Sequence, residues 1–445
     1  MTETILGQER ISRLFFRYSI PGIAAMLFLG LNTIVDGLFA GHYIGADALA
    51  SVNIAMPFSS LMIALSIMIG IGAQSLIGRK LGAGKTTEAA DTFRTALLLC
   101  LGFSLFFATI AAALPEKLAT LLGASPHLAP MVSTYICYTG IFLPFLSVML
   151  VLDYVLKTIA RPAYAMMALI ISVSSHMFFT WLLVAHLQMG IKGAALSLGI
   201  GCTLAFFMTA FPFFKRKQTL HFFIGSWQTK TALRILYSGF AEGLTEIGTG
   251  ITAYLFNITL MQYTGETGIA AFTIIGYLSF IGNNLLIGLS DGSSAIISYN
   301  YGSRKIERVK KTLYISSLSA VFTGLLIFIL LHAKGAQIVR LFLDESNTSV
   351  LTFAASGAEI YAFAFLINGL NIIFSGYFTA IGKPTVAAII SGSKGILFVA
   401  VAIVLLPKIF GIAGIWLSIP LAEALTLLLS TTLLYRHFKQ APPLS

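Results

Sequence analysis

Twelve runs of roughly 20 apolar residues, the length that crosses a hydrocarbon core, dominate this chain. They lie near 16–40, 54–77, 92–114, 132–156, 163–186, 193–214, 236–262, 272–297, 312–332, 354–380, 385–406 and 412–434, with short polar gaps between them. Inside a bilayer every backbone N–H and C=O must find its partner within the protein, and a single apolar run achieves that as an α-helix. The expected fold is an all-α integral membrane protein with twelve transmembrane helices. Composition points the same way: 57% of the 445 residues are hydrophobic and 10% are charged, whereas a soluble domain carries about 25% charged residues. That balance excludes a soluble enzyme, a nucleic-acid-binding domain and a disordered tail protein.

The formal net charge is +11, and its distribution is that of a topology signal. With an even number of spans both termini share one side, and the segments on that side hold 22 of the 28 Lys and Arg residues. Arg10, Arg13, Arg17, Arg79, Lys80, Lys215, Arg216, Lys217, Arg304 and Lys305 are among them. The opposite side has Lys117, Lys192, Lys334, Arg340 and Lys408, while Lys394 sits inside a span. The positive-inside rule puts both termini in the cytoplasm, so the partner of this charge is the lipid bilayer and not nucleic acid. The first run exceeds a signal-peptide core and lacks a small-residue cleavage site, so it reads as a retained first helix. Cys100, Cys137 and Cys202 fall within apolar runs with no paired spacing and read as small hydrophobes.

The chain is internally repeated. Shifted by 220 positions, residues 43–85 align without gaps on 263–305 with 11 identities in 43, including Tyr43/Tyr263, Gly72/Gly292, Gly82/Gly302 and Lys85/Lys305. Pro162 matches Pro384, and GIKGAALS at 190–197 matches GIAGIWLS at 411–418. Each copy holds six spans, so both enter the membrane in the same direction. Two six-helix bundles related by a pseudo-two-fold axis along the membrane normal follow, with a substrate path at their interface. The expected division is an N-terminal lobe over 1–214, a cytoplasmic linker over 215–235 and a C-terminal lobe over 236–445.

An ionisable side chain within a span is a functional candidate by default, because its burial costs a few kcal/mol or more. Asp36 lies deep in the first run, one turn after Asn32, with no Lys or Arg within two turns. It suits a group that takes up and releases protons; a packing hydrogen bond is the alternative. The seventh run carries Glu242, Glu246, Thr249, Ala253 and Asn257 on one face. Glu246 is the deeper acid, and Glu242 lies nearer the cytoplasm, where solvation explains it. Asn284 and Asp291 share a face of the eighth run, and Asn368, Asn371 and Ser375 form a stripe on the tenth. Both sets fit either a cation path or interhelical glue.

Other polar positions read as structural. Asp153 and Lys157 form an i,i+4 pair, and Lys394 with Glu423 on consecutive helices would remove each other's burial penalty. Ser172, His176 and Thr180 recur every four residues on the fifth run, where the imidazole serves packing or a proton relay. The 35 Phe and 13 Met supply soft, repackable walls that suit flat hydrophobic cations, although Phe also faces lipid. GRKLGAGKT at 78–86 has five residues between Gly78 and Gly84 where a phosphate-binding loop needs four, and no strand precedes it. GIGAQS at 70–75 lacks the third glycine of a dinucleotide fingerprint. With no HExxH, GxSxG or Cys/His cluster either, the chain reads as a non-enzyme without a cofactor, driven by an ion gradient or by its substrate's own gradient.

Several segments together resemble one family: IPGIAAMLF at 20–28, VDGLFAGHYIGADALA at 35–50, GIGAQSLIGRKLGAGK at 70–85, ISYNYGSRK at 297–305, GYFTAIGKP at 376–384 and GIWLSIPLAEALT at 414–426. The chain is similar along essentially its whole length to the multidrug and toxic compound extrusion (MATE) transporters, in the branch containing DinF-like and MepA-like proteins. The resemblance implies twelve helices in two lobes and a cleft that alternates between cytoplasm and exterior. It also implies export of small organic cations in exchange for H+ or Na+, by a monomer in the plasma membrane (the inner membrane of a bacterium). An aspartate on the first helix is the coupling residue of such transporters, and Asp36 occupies that position. The seventh-helix acid of their cation site is matched by Glu246. The chain departs from the pattern at His176 and Thr180, where relatives often carry an Asn and an Asp. Asn368 stands where sodium-coupled relatives have an Asp. These departures leave the coupling ion open between H+ and Na+.

The expected mechanism is one in which a cation and a proton compete for the Asp36 carboxylate, with Glu246 as a second acid, while the halves rock. A flippase of a lipid-linked precursor is the alternative class. Its pyrophosphate would call for a cleft rich in Arg and Lys, whereas the intramembrane charges here are mostly acidic.

Overall fold

A computed structural model describes residues 2–39, 43–215, 219–339 and 348–440. In chain order its α-helices are α1 (Thr2–Gln8), α2 (Ile11–Phe39), α3 (Ala46–Gly82), α4 (Thr86–Ala113), α5 (Pro115–Leu121), α6 (Ala129–Thr158), α7 (Pro162–Thr180), α8 (Gly190–Ala210), α9 (Thr229–Thr264), α10 (Glu266–Gly302), α11 (Ile306–Val339), α12 (Thr348–Ala362), α13 (Phe365–Ala380), α14 (Pro384–Gly392), α15 (Val399–Phe410) and α16 (Ile412–Gln440). Two π-helical segments, Trp181–His186 and Ser393–Phe398, continue α7 and join α14 to α15.

Every apolar run coincides with one helix or one helix pair, because the apolar length sets the element. Nine described helices or helix continuations are long and apolar enough to cross a membrane, and α12 with α13 makes a tenth, bent by 51° at its break. The first and seventh runs form α2 and α9, of 29 and 36 residues, well beyond the roughly 20 that span a bilayer. Prolines Pro21, Pro57, Pro144 and Pro420 lie inside these helices, which membrane bundles tolerate because neighbours satisfy the freed carbonyls.

The sequence repeat reappears as repeated turns. α3 ends with Gly84 at φ +74° and a Lys85 N–H bond to the Lys80 carbonyl, and α10 ends with Arg304 at φ +59° and the matching Lys305-to-Asn300 bond. At the next equivalent pair, Ala160 (φ +63°) and Gly382 (φ +82°) precede Pro162 and Pro384 at the starts of α7 and α14. These are left-handed helix caps of one type. Arg304 and Ala160 hold a conformation that costs a side chain something, where the other copy has glycine.

The helices pack as two compact units. Unit 1 comprises Met1–Arg10, Ala24–Gly239 and Ser298–Lys305; unit 2 comprises Ile11–Ile23, Phe240–Ile297 and Ile306–Ser445. The partition exchanges helix ends. In unit 1 the start of α9 lies against α3: a Cβ on Gly72 would stand 2.1 Å from the Ile235 carbonyl oxygen, and one on Gly239 1.8 Å from that of Met68. In unit 2 the start of α2 lies against α10, where a Cβ on Gly22 would stand 2.8 Å from the Gly288 oxygen. Small residues allow such backbone approach. Unit 1 has its core around Phe93, stacked 4.9 Å from Phe213; unit 2 has Phe256 stacked 4.7 Å from Phe272, beside Trp416. The connection before α9 is pinned to α4, where Asp91 accepts from the Ser226 N–H (2.8 Å), the Ser226 hydroxyl (3.1 Å) and Gln228 Nε2 (2.9 Å).

Candidate functional site

Each unit places polar side chains among apolar helices. In unit 1, α7 presents His176 to α2: the ring Nδ1 donates to Asn32 Oδ1 at 3.1 Å, and His176 is buried. Gly201 makes this possible. A Cβ there would stand 2.7 Å from the Ser172 carbonyl oxygen and 3.0 Å from the His176 Cβ, so α8 presses against α7 only because residue 201 has no side chain. Thr180, one turn on, serves a different neighbour and donates to Ser197 Oγ on α8 at 2.9 Å. Asp36 follows Asn32 by one turn of α2; its side chain lies outside the described residues.

In unit 2 the polar groups converge. Lys394, in the π segment Ser393–Phe398, pairs with Glu423 of α16 at 3.0 Å and also donates to Asn368 Oδ1 on α13. Asn368 Nδ2 donates to Asn283 of α10. The other Glu423 oxygen accepts from Asn371 Nδ2 at 2.8 Å, and Asn371 Oδ1 accepts from Ser430 at 3.0 Å. Four elements or segments are thereby tied by one chain of hydrogen bonds. The sequence pairing of Lys394 with Glu423 is present, as is that of Asp153 with Lys157 at 2.7 Å. The Asn368/Asn371 stripe turns out to flank the first pair.

The acids of α9 divide. Glu246, Thr249 and Asn257 are exposed along one face, while Glu242 is half-buried and within electrostatic range of Asp291, Glu246 and Lys394. Asp291 and Asn284 are buried on α10. Asn283, adjacent to Asn284, is the residue that joins the network; a helix carrying two neighbouring asparagines leaves open which one faces α13. Among the described residues no group of three His, Cys, Asp or Glu side chains is placed to hold a metal.

A family model, MatE, matches residues 21–182 and 245–405, most of both repeats. The chain belongs to the MatE family. Members of this family are membrane transporters and not enzymes. The chain is 24% identical over 432 residues to the multidrug export protein MepA of Staphylococcus haemolyticus, covering 96% of this chain and 94% of that protein. It is 23% identical to MepA of Staphylococcus aureus strain MRSA252 with the same coverage. Among solved structures, an outward-facing MATE family transporter of the MOP superfamily aligns with TM-score 0.92 at 19% identity, covering 98% of this chain and 97% of that one. A MOP superfamily transporter from Pyrococcus furiosus aligns with TM-score 0.91 at 18% identity over 98% and 97%. These likenesses establish the twelve-helix fold.

In this MatE protein the two polar sets differ chemically. The unit 1 hydrogen bonds described above join Asn32 to His176 and Thr180 to Ser197, with no carboxylate or ammonium among them. The unit 2 set contains a formed ion pair with further acids around it.

Proposed function

We propose that this MatE protein is a secondary multidrug efflux antiporter that exports amphipathic organic cations from the cytoplasm or inner leaflet in exchange for H+ or Na+. The observation that carries this reading is the end-to-end match to proteins named multidrug export protein MepA. The site chemistry supports it: ionisable groups held within spans mark ion or substrate pathways.

Asp36 is the coupling carboxylate in this reading. Its ionised form favours the cation-loaded state, and a proton arriving from outside cancels the charge and releases the cargo. Asn32 and His176 position the neighbouring turn of α2 through their hydrogen bond. The exposed α9 face with Glu246, Thr249 and Asn257 lines the cargo path, since a polar face on a spanning helix belongs to water and not to lipid. Glu242, Asn284, Asp291 and Asn368 form the polar wall behind it, and Thr180 anchors α7 to α8. The protein works as a monomer in the plasma membrane with both termini cytoplasmic, and its substrates' own charge and the ion gradient supply all the chemistry. The test is efflux of a fluorescent cation from vesicles holding purified protein, with proton and sodium gradients imposed separately. Wild type exports the dye under an inward ion gradient and Asp36→Asn does not; normal gradient-driven efflux by Asp36→Asn would remove Asp36 from the coupling role.

A further inference from the structure

The hydrogen bonds around Lys394 have one consistent polarity. An ammonium only donates and an ionised carboxylate only accepts. Lys394 therefore takes Oδ1 of Asn368, which turns that residue's Nδ2 to Asn283. Glu423 accepts from Lys394 on Oε1 and from Asn371 on Oε2, which leaves Asn371 Oδ1 to accept from Ser430. Each amide is oriented as a charged Lys–Glu pair demands. The segment bearing Lys394 is itself held: its Gly395 carbonyl accepts from Thr252 of α9 at 3.1 Å, and a Cβ on Gly248 would stand 3.0 Å from the Gly395 Cα. The helix there is π-helical, a widening often found at functional positions.

The titratable groups facing this ammonium are otherwise acidic. Glu423 of α16 pairs with it and Glu242 of α9 lies within electrostatic range of it; Asp291 of α10 and Glu246 of α9 lie within range of Glu242, and Tyr361 of α12 within range of Glu423. Among these described groups Lys394 alone brings positive charge. A positive charge held by a carboxylate oxygen of Glu423 and an amide oxygen of Asn368 meets the oxygen ligand types that hard inorganic cations take in proteins. Here the charge arrives on a flexible four-carbon stem.

We propose that Lys394 is a tethered cation that fills this place in unit 2, excludes Na+ from it, and so determines the ion specificity of transport. The proposal rests on the antiporter reading and narrows it, because with the Glu423 carboxylate already paired to the chain's own lysine the coupling falls to protons. A second cation beside the ammonium would meet like-charge repulsion at a distance where protein dielectric screens it little. Removing the ammonium leaves Glu423 Oε1 and Asn368 Oδ1 as vacant oxygen ligands beside Glu242.

The experiment measures Na+ binding apart from transport. Thermal unfolding of purified wild type, Lys394→Met, Lys394→Gln, Lys394→Arg and Lys394→Met/Glu423→Gln is followed while NaCl replaces choline chloride at constant ionic strength. A bound ion raises the midpoint in a saturable way. Wild type and Lys394→Arg are expected to show no Na+-specific shift. Lys394→Met and Lys394→Gln gain one, with an apparent Na+ affinity at least about tenfold above wild type, and the double variant loses it. Dye efflux under a sodium gradient follows the same order. Saturable Na+ stabilisation of wild type overturns the proposal by itself, whatever the variants do. Na+ indifference of either folded Lys394 variant overturns it as well. Absence of dye efflux from wild type under both gradients would instead refute the antiporter reading, while the unfolding series still decides the role of Lys394.

Discussion

Alanine at Gly82 or Gly302 would force apart the crossing of two helix ends in unit 1. A Cβ on Gly82 would stand 2.0 Å from the Tyr299 carbonyl oxygen, and one on Gly302 would stand 2.1 Å from that of Arg79. Real Cβ atoms essentially never approach within 3.0 Å, so the ends of α3 and α10 must part by about 1 Å. The obstacle is backbone in both cases, and no rotamer change relieves it. Overpacking of this kind costs about 1–3 kcal/mol. Separation also forfeits the close-packed contacts that small residues permit between membrane helices. Because the two glycines are repeat mates on one crossing, a single displacement accommodates both methyl groups. Gly82→Ala/Gly302→Ala should therefore cost clearly less than the sum of the single variants, with a coupling of about 0.5–3 kcal/mol. Gly102→Ala and Gly250→Ala are the controls: nothing lies within 4 Å of either Cβ, and alanine is the better helix former. Thiol-reactive dye unfolding suits the measurement, since Cys100 and Cys202 are buried free thiols that react on unfolding. Crossing variants as stable as the Gly102→Ala control, or a double variant with fully additive cost, would refute the argument.

Three further outcomes are expected. Lys394→Met alone and Glu423→Gln alone should each destabilise the protein by about 3 kcal/mol, because each strands the partner inside unit 2; the double variant should recover most of that loss in the same unfolding assay. Asp91→Ala removes the acceptor of three linker hydrogen bonds. Limited proteolysis should then cut near Lys230 faster than in wild type, with a stability loss of about 1–3 kcal/mol. Asp36→Asn should fold like wild type, judged by its unfolding midpoint, yet lose proton-driven dye efflux.

Much of the candidate site was legible as a set of residues and little of it as a set of contacts. Lys394 and Glu423 were readable as partners because two lone charges in adjacent spans each carry a penalty that only the other removes. The stripe of Ser172, His176 and Thr180 reads as one surface, yet His176 bonds to α2 and Thr180 to α8. Helix periodicity tells which residues share a face and not how many neighbours that face meets. Glu242 looks solvated by its nearness to the cytoplasmic end, whereas it lies within range of Asp291 and Lys394 as well as Glu246, and the first two come from distant parts of the chain.

The sequence by itself determined the twelve helices and the duplication. A bilayer leaves an apolar run no other way to satisfy its backbone, and glycines, prolines and a lysine at one constant offset carry the same turns into both copies. The tertiary structure alone decided that Asn283 and not Asn284 meets Asn368, that Gly82 lies under Tyr299, and that the start of α2 belongs to unit 2. Those outcomes depend on which helices cross and where along their length. The crossings are set by the summed packing of side chains far apart in the chain, which local pattern does not encode.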